Sequence, residues 1–393
     1  MNALSVHSCQ SISEVLFWGS IGIVVYSYFI YPLIVALVVR TFGARPVAAR
    51  DGYTPTVSVV ISVYNEEAVL PEKLRNLEAT AYPREKLRIM FGSDCSTDGT
   101  NRLLAAWDHP GKTVVEFSAR RGKGPVLNDL VRAAASDVVV FSDANTMYEP
   151  VTIARLVRSL ADPGVGAVCG ELRLVPEGSD AGGSGEVSYW SYENWLKRNE
   201  SDLFTLLGAT GGVYAIRREL FVPLPDHKSV TDDFLIPLKI VMKGYRVIFS
   251  RDALAYEKTS GSMKGEFRRK ARIGAQNFAG IAEFAPLLLP WTGFTSFALW
   301  SHKLIRWFVP FFAIIAFAAT AVLASASTFF TVVFAMEIAF VAIAAAGFIA
   351  DSSHVRLGAA GLPYYFMAMN AALLIGFFRY LFGRQRTTWE VLR

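Results

Sequence analysis

Apolar residues fall into two regimes along this chain. Residues 15–39, 307–326, 329–350 and 362–382 are nearly continuous apolar runs, whose only charges are Glu337 and Arg379. Each is long enough to cross a hydrocarbon core of about 30 Å. Between them, from about residue 40 to 306, charged and apolar positions alternate as in a water-soluble domain. There, "VSVVISV" at 57–63 is dense in β-branched residues and predicts a buried strand. "EEAVLPEKLRNLEATAYP" follows, with Leu70, Leu74 and Leu77 at helical spacing. "KLRIMFGSD", "TVVEFSA" and "DVVVFSDANT" read as three more strands, with helices predicted in "STDGTNRLLAAW" and "RRGKGPVLNDLVRAAAS". Strands alternating with helices imply βαβ units and a mostly parallel sheet, an α/β fold of the nucleotide-binding kind.

Polar residues recur at the same end of these strands. Asn65, Glu66, Asp94, Asp98, Asp143 and Asn145 therefore belong to one crevice at the carboxyl edge, where open α/β sheets bind ligands. For Asp94 and Asp98 a helix-capping role is the alternative, and for Asp98 the preferred one. Neither a GxGxxG nor a GxxxxGK[ST] motif is present. Phosphates would have to be neutralised by "RRGKG", a glycine-rich loop with three cations, and by a hard divalent ion such as Mg²⁺ or Mn²⁺.

Charge adds orientation. No Lys or Arg precedes the first apolar run, while Arg40, Arg45 and Arg50 follow it. The positive-inside rule puts the N-terminus outside and the large middle block in the cytoplasm. The run lacks a basic leader and a small-residue cleavage site, so an uncleaved anchor is expected. The three cysteines have no metal spacing, and the net charge of +5 comes without any nucleic-acid motif. "MKGEFRRKARIGAQNFAGIAEFAPLLLPW" interleaves cations with apolar residues, which predicts helices lying on the membrane surface. "SHKLIRWF" then leads into the bilayer, with His302, Lys303 and Arg306 on the cytoplasmic side. The C-terminal topology has conflicting signals. Four spans place the end outside, yet "FFRYLFGRQRTTWEVLR" and the arginine in "SSHVRLG" favour the inside. A plain fourth span, a re-entrant segment breaking near Asn370 and Gly376, and an extra crossing at 284–300 are the alternatives.

Six motifs in order, "VSVVISVYNEE", "GSDCSTDGT", "RRGKGPVLN", "FSDANT", "GATGGVYAIRRELF" and "VTDDFLIPLKIVMKGYRV", resemble those of family 2 glycosyltransferases. The resemblance covers about residues 55–310. It implies a GT-A fold and an inverting, metal-dependent reaction on a nucleotide-diphospho-sugar. The layout of apolar runs is similar to that of membrane-embedded cellulose, hyaluronan and poly-N-acetylglucosamine synthases.

Carried over residue by residue, Tyr64 and Glu66 would flank base and ribose, and Asp94 would accept from the uracil edge. Lys123 would touch base or diphosphate. Asp143 matches the first acid of a D-x-D metal motif, and Asn145 stands where the second ligand would be. Asp233 in "VTDDF" would be the general base, with Thr231 as helix cap and Asp232 pointing elsewhere. Thr210 and Gly211 in "GATGG" would lie against the acceptor. Arg269 and Arg272 fall at the glutamine and arginine of the family's Q-x-x-R-W and would hold the diphosphate. The sequence departs from the family at Cys95, where a second acid is common, and at Ile273, which replaces the tryptophan. The latter puts processivity in question. The divisions implied are an anchor at 1–40, a GT-A domain at 51–260, interfacial helices at 261–306, membrane helices at 307–382 and a basic tail at 383–393. The expected function is transfer from a UDP-sugar to a growing polysaccharide at the inner membrane. The alternatives are addition of one sugar to a lipid-linked acceptor, or a transporter with a regulatory nucleotide-binding domain. Expected partners are the UDP-sugar, a glycan or lipid-linked acceptor and membrane lipids.

Overall fold

The computed structural model describes residues 3–175, 181–259, 262–353 and 361–385. The link around "SSHVRLG" and the basic tail fall largely outside them. The chain opens with α1 (Ala3–Val25), which runs through a π-turn into α2 (Tyr31–Phe42). The soluble block begins with β1 (Val57–Val63), α3 (Leu70–Glu78), β2 (Leu87–Ser93), α4 (Thr100–Ala106), β3 (Lys112–Glu116), α5 (Lys123–Ala133) and β4 (Val138–Phe141). These are the alternating elements that the periodicity predicts. Then come β5 (Met147–Tyr148), α6 (Thr152–Arg158), β6 (Val165–Val175), α7 (Ala181–Leu203), β7 (Tyr214–Arg217), α8 (Asp232–Met242) and β8 (Arg246–Lys258). The last part is helical: α9 (Met263–Phe284), α10 (Phe294–Ala298), α11 (Ile305–Leu323), α12 (Thr328–Ser352) and α13 (Gly361–Leu381).

One eight-stranded sheet has the order β3-β2-β1-β4-β7-β6-β8-β5. β1 pairs in parallel with β2 and β4, and β2 with β3, while β7 runs antiparallel between β4 and β6. β1 is buried along its whole length because both its faces are covered. Val57, Val59, Ile61 and Val63 pack with Leu70, Leu74 and Leu77 of α3, whereas Val60 faces Val126, Leu127 and Leu130 of α5. The period of two along the strand thus feeds two cores, and its carboxyl end opens between them.

Among the described residues, four helical stretches are long and apolar enough to cross a membrane: Gln10–Phe42, Phe294–Leu323, Thr328–Ser352 and Gly361–Leu381. The second begins well before residue 307, the start that hydropathy suggests. α10 continues through a π-segment, Leu299–Leu304, into α11. This places His302, Lys303 and Arg306 inside the helix, where the buried His302 and Arg306 pair with Glu200 and Glu193 of α7. Residues 285–292 form two short 3-10 turns, and Gly293 has φ +64°, so 284–300 is not a continuous helix. α13 is unbroken through Asn370 and Gly376. α9 lies against it at close range. A Cβ on Gly376 would come within 2.8 Å of the Ala271 carbonyl oxygen. Phe278 of α9 packs edge-on against Phe377. The interleaved cations of α9 therefore flank a face that is buried on protein. Glu337 of α12 faces Thr320 of α11, at 3.4 Å.

Candidate active site

The opening of the sheet at its carboxyl edge is built from four loops. The loop after β1 is stapled to the one after β2. Asn65, with φ +52°, accepts at Oδ1 from the Thr97 amide (2.8 Å), and the Glu66 amide donates to Thr100 Oγ1 (2.8 Å). Asp98 accepts from the Thr100 and Glu67 amides, one residue before Gly99, which holds the N-cap position of α4 without a side-chain cap.

Asp94, which the resemblance implies as the uracil partner, is seen here against the basic loop. It is fully buried, and both its oxygens serve the basic loop. Oδ1 accepts from the Arg121 amide (2.7 Å), and Oδ2 from the Gly122 amide (3.0 Å) and Arg120 Nε (3.2 Å). Its acceptor capacity goes to shaping "RRGKG", because two neighbouring amides at a left-handed Gly122 (φ +94°) need one carboxylate to pair them. Arg120 also lies over the Tyr64 ring, 3.2 Å from its centroid. Tyr64, Arg120 and Asp94 form one stack beside the loop that aims Lys123.

Lys123 opens α5 and bridges two acids, 2.8 Å from Asp143 Oδ1 and 3.1 Å from Asp232 Oδ1. Burial works against its charge, but Asp143 and Asp232 outweigh it and raise its pKa. Burial would likewise push Asp143 up, yet Lys123 holds it below the usual carboxylate range. Behind Asp143, the fully buried Lys73 of α3 donates to Ser142 Oγ (2.8 Å) and to the Thr146 carbonyl, with the Tyr148 ring under its ammonium. Burial pushes Lys73 down to about 7, against the pull of Asp143. It clamps the "SDANT" turn. Its signal in the sequence is a lysine on the apolar face of α3, between Leu70 and Leu74.

Asn145 turns its amide to Glu257 Oε1 (2.9 Å), which brings a carboxylate from β8 next to the turn. "GATGG" crosses the floor. A Cβ on Gly211 would stand 3.3 Å from Asp233 Oδ2 and 3.5 Å from Asp143 Oδ2, so both acids border one small hollow. A Cβ on Gly212 would collide with Thr146 Oγ1 at 2.2 Å, which explains the glycine. The Ala209 amide donates to the Asp233 carbonyl (2.6 Å), locking this loop to the start of α8.

Asp232 and Asp233 occupy the first turn of α8 and diverge as expected. Asp232 faces Lys123 and the Tyr214 hydroxyl (3.4 Å), and Asp233 the Gly211 hollow. Thr231 holds the N-cap position without a capping bond; its hydroxyl pairs with Asn277 Oδ1 (3.0 Å). Burial, then Asp232, push Asp233 up to about 6, with Lys123 and Lys197 opposing. That value suits a base near neutral pH. Thr210 is buried and its hydroxyl accepts from Lys197 Nζ (2.9 Å), which ties the loop to α7. Arg269 is paired with Glu266 (2.7 Å). Arg272 lies within electrostatic reach of Asp143, Asp232 and Asp233, although burial and the neighbouring Arg269 lower its pKa.

One cavity of about 1470 Å³ joins these parts. Lys123, Asp143, Asp233, Thr210, Gly211 and Arg272 line it, as do Glu66, Asn145 and Arg269; Tyr64 and Asp94 do not. The opposite wall is membrane helix, with Tyr28 and Phe29, Lys303 and Trp307, and Tyr365 and Met369. Trp190 of α7 and Trp307 are also among the lining residues; Trp307 is buried against Phe234 and Phe278, and Lys197 lies over the Trp190 ring.

The donor set fits a hard divalent ion. Asp143, Asn145 and Glu257 offer oxygens only, with Asp143 Oδ2 turned to the Gly211 hollow. Among the described residues no three His, Cys, Asp or Glu side chains converge as a complete cage. An ion there would take much of its shell from phosphate and water, as Mg²⁺ characteristically does.

A basic loop facing clustered carboxylates at the carboxyl edge of a mostly parallel sheet is the architecture of a nucleotide-sugar transferase. Comparison with known proteins makes this specific. Residues 58–223 match the glycosyl transferase family 2 profile, and this stretch is a family 2 glycosyltransferase domain with the GT-A fold. The chain is 25% identical to poly-beta-1,6-N-acetyl-D-glucosamine synthase of Staphylococcus aureus over 224 residues, covering 55% of this chain and 53% of that protein. It is 26% identical to the probable glycosyltransferase YdaM of Bacillus subtilis over 243 residues, covering 58% and 57%. The chain thus spans about half the length of the curated relatives it matches. The solved structure of the mannosyltransferase PcManGT from Pyrobaculum calidifontis, in complex with GDP-Man and Mn²⁺, superposes with a TM-score of 0.70 at 27% identity, covering 96% of this chain and 99% of that one.

Proposed function

We propose that this protein is a membrane-embedded, inverting glycosyltransferase that moves a sugar from a nucleotide-diphospho-sugar onto a growing polysaccharide. The observation that carries this is the continuity of the cavity from Asp233 to the membrane helices. Its volume exceeds the roughly 300–1,000 Å³ of an ordinary small-molecule site, which leaves room for donor and acceptor together. PcManGT binds GDP-Man, and the reading of Asp94 as a uracil partner loses its main support once its oxygens serve the loop. The donor is therefore assigned as a nucleotide-diphospho-sugar, with UDP as the base-specific form to test.

In this mechanism Asp233 takes the proton from the acceptor hydroxyl as its oxygen attacks the anomeric carbon. The bond to the diphosphate breaks on the opposite face, so a single displacement inverts the centre. Lys123 and Arg272 hold the diphosphate as charge builds on it. Asp143, with Asn145 and Glu257, would hold a divalent ion, Mg²⁺ or Mn²⁺, whose contribution is to neutralise that leaving charge. Arg40, Arg45 and Arg50 after the first apolar stretch favour a cytoplasmic catalytic domain at an inner membrane.

A second reading, a single sugar added to a lipid-linked acceptor, draws on Ile273 and on the membrane-helix wall of the cavity. Purified full-length protein in lipid nanodiscs, given UDP-glucose, UDP-N-acetylglucosamine or GDP-mannose, separates the two. A ladder of products by mass spectrometry supports polymerisation, a single increment supports the second reading, and no nucleotide release with any donor overturns both. The transporter alternative gives no role to a buried acid poised near neutral pH beside a basic loop.

A further inference from the structure

Helix α7 carries Glu193, Lys197 and Glu200 at positions i, i+4 and i+7, on one face, and all three are buried. The two glutamates face the membrane helices. Glu200 Oε1 accepts from Tyr31 of α2 (2.6 Å) and pairs with His302 Nδ1 (2.7 Å), and Glu193 pairs with Arg306. Lys197 turns away from both. It forms no salt bridge among the described residues; its ammonium lies 5.2 Å from the centroid of the Trp190 ring. Its hydrogen bonds go to the "GATGG" loop: Thr210 Oγ1 at 2.9 Å and the Ala209 carbonyl at 3.5 Å. The same Ala209 donates its amide to the Asp233 carbonyl at 2.6 Å. A single cation therefore grips the two residues that lead into the Gly211 hollow, one peptide from the backbone of Asp233.

We propose that Lys197 is a positioning residue for the transfer step: acting through Thr210 and Ala209, it fixes the floor loop against Asp233 so that the acceptor hydroxyl, and not water, meets the anomeric carbon. This rests on the glycosyltransferase reading above. Lys197 lines the same cavity, but its hydrogen bonds go to the floor loop and not to the basic loop, so its effect falls on transfer and not on donor binding.

The test uses full-length protein in nanodiscs, with whichever of the three donors supports transfer, and follows total nucleotide release and sugar incorporation separately. Lys197→Met is expected to lower incorporation by about ten- to a hundredfold, the usual cost of a misplaced reacting group. Donor KM stays within about twofold, and the fraction of donor lost to water rises. Lys197→Arg restores incorporation because it keeps a donor at Thr210. Thr210→Val lowers incorporation in the same way, and the double variant is no worse than the more damaging single one, as expected for partners in one interaction. Wild-type incorporation by Lys197→Met, or losses that multiply in the double variant, overturns the proposal. If Lys197→Met fails to fold by thermal unfolding, Thr210→Val decides: an unchanged ratio of hydrolysis to transfer overturns the inference. Loss of activity in Asp233→Asn with normal Lys197→Met leaves the glycosyltransferase reading standing and removes this one alone.

Discussion

Replacing Asp233 with asparagine isolates the proton-transfer step. The two side chains have nearly the same shape, and the amide cannot accept the acceptor's proton. The carboxyl is pushed up to about 6 by burial first and by Asp232 next. At pH 7.5 such a group is almost wholly ionised, and at pH 5 only about a tenth of it is, so the wild-type rate falls about tenfold from its plateau to pH 5. Asp233→Asn loses that acid limb together with at least about a hundredfold of the rate, the general-base contribution. The same shift has a stability consequence of opposite sign. A carboxyl whose folded-state pKa is raised binds more protons folded than unfolded between about 3.8 and 6. Stability therefore falls as pH rises through that window, and the cost persists above it. The asparagine removes the ionised group, so the variant unfolds at the same or a higher temperature at pH 7.5. The assay is initial-rate nucleotide release and sugar incorporation from pH 5 to 8.5, beside thermal melts of both proteins. Retention of more than a tenth of the rate, or a wild-type acid limb centred below pH 5, refutes the assignment of Asp233 as base.

Three further outcomes are expected. Asp94→Asn supplies one acceptor oxygen where the Arg121 and Gly122 amides now use two, so UDP- and GDP-linked donors weaken by a similar factor; a changed preference between them in competition assays would restore the base-reading role. Lys123→Met leaves Asp143 and Asp232 without their shared cation, raising donor KM by at least about tenfold and lowering the melting temperature; an unchanged KM counts against its diphosphate role. Chelation abolishes transfer and Mn²⁺ or Mg²⁺ restores it, while Asn145→Asp sets a carboxylate against Glu257, so that variant melts lower without metal and gains more than the wild type when Mn²⁺ is added; equal Mn²⁺ shifts in the two proteins argue against position 145 as a ligand.

Local periodicity determined much of this protein by itself. The alternation in 57–141 specified the four strands β1 to β4, because a strand with both faces covered must be apolar throughout. The four apolar runs specified membrane-type helices for the same reason: hydropathy sums over neighbours in sequence. Asp143, placed by its strand end, also meets Asp232 and Asp233, placed by the motif resemblance. Only the tertiary structure decided where charge is tolerated inside. Glu193 and Glu200 read as an ordinary polar helix face until His302 and Arg306, more than a hundred residues away, supply their partners, and Tyr31 reaches Glu200 from still farther. The second membrane-type helix also begins at Phe294, earlier than hydropathy by itself suggests, and carries these cations within it. The fold also set Asp94 against the amides of the basic loop and Lys197 against the Thr210 hydroxyl. A buried charge is stabilised only by specific partners, and those partners come from segments that share no local pattern, so the chain discloses them only once it has folded.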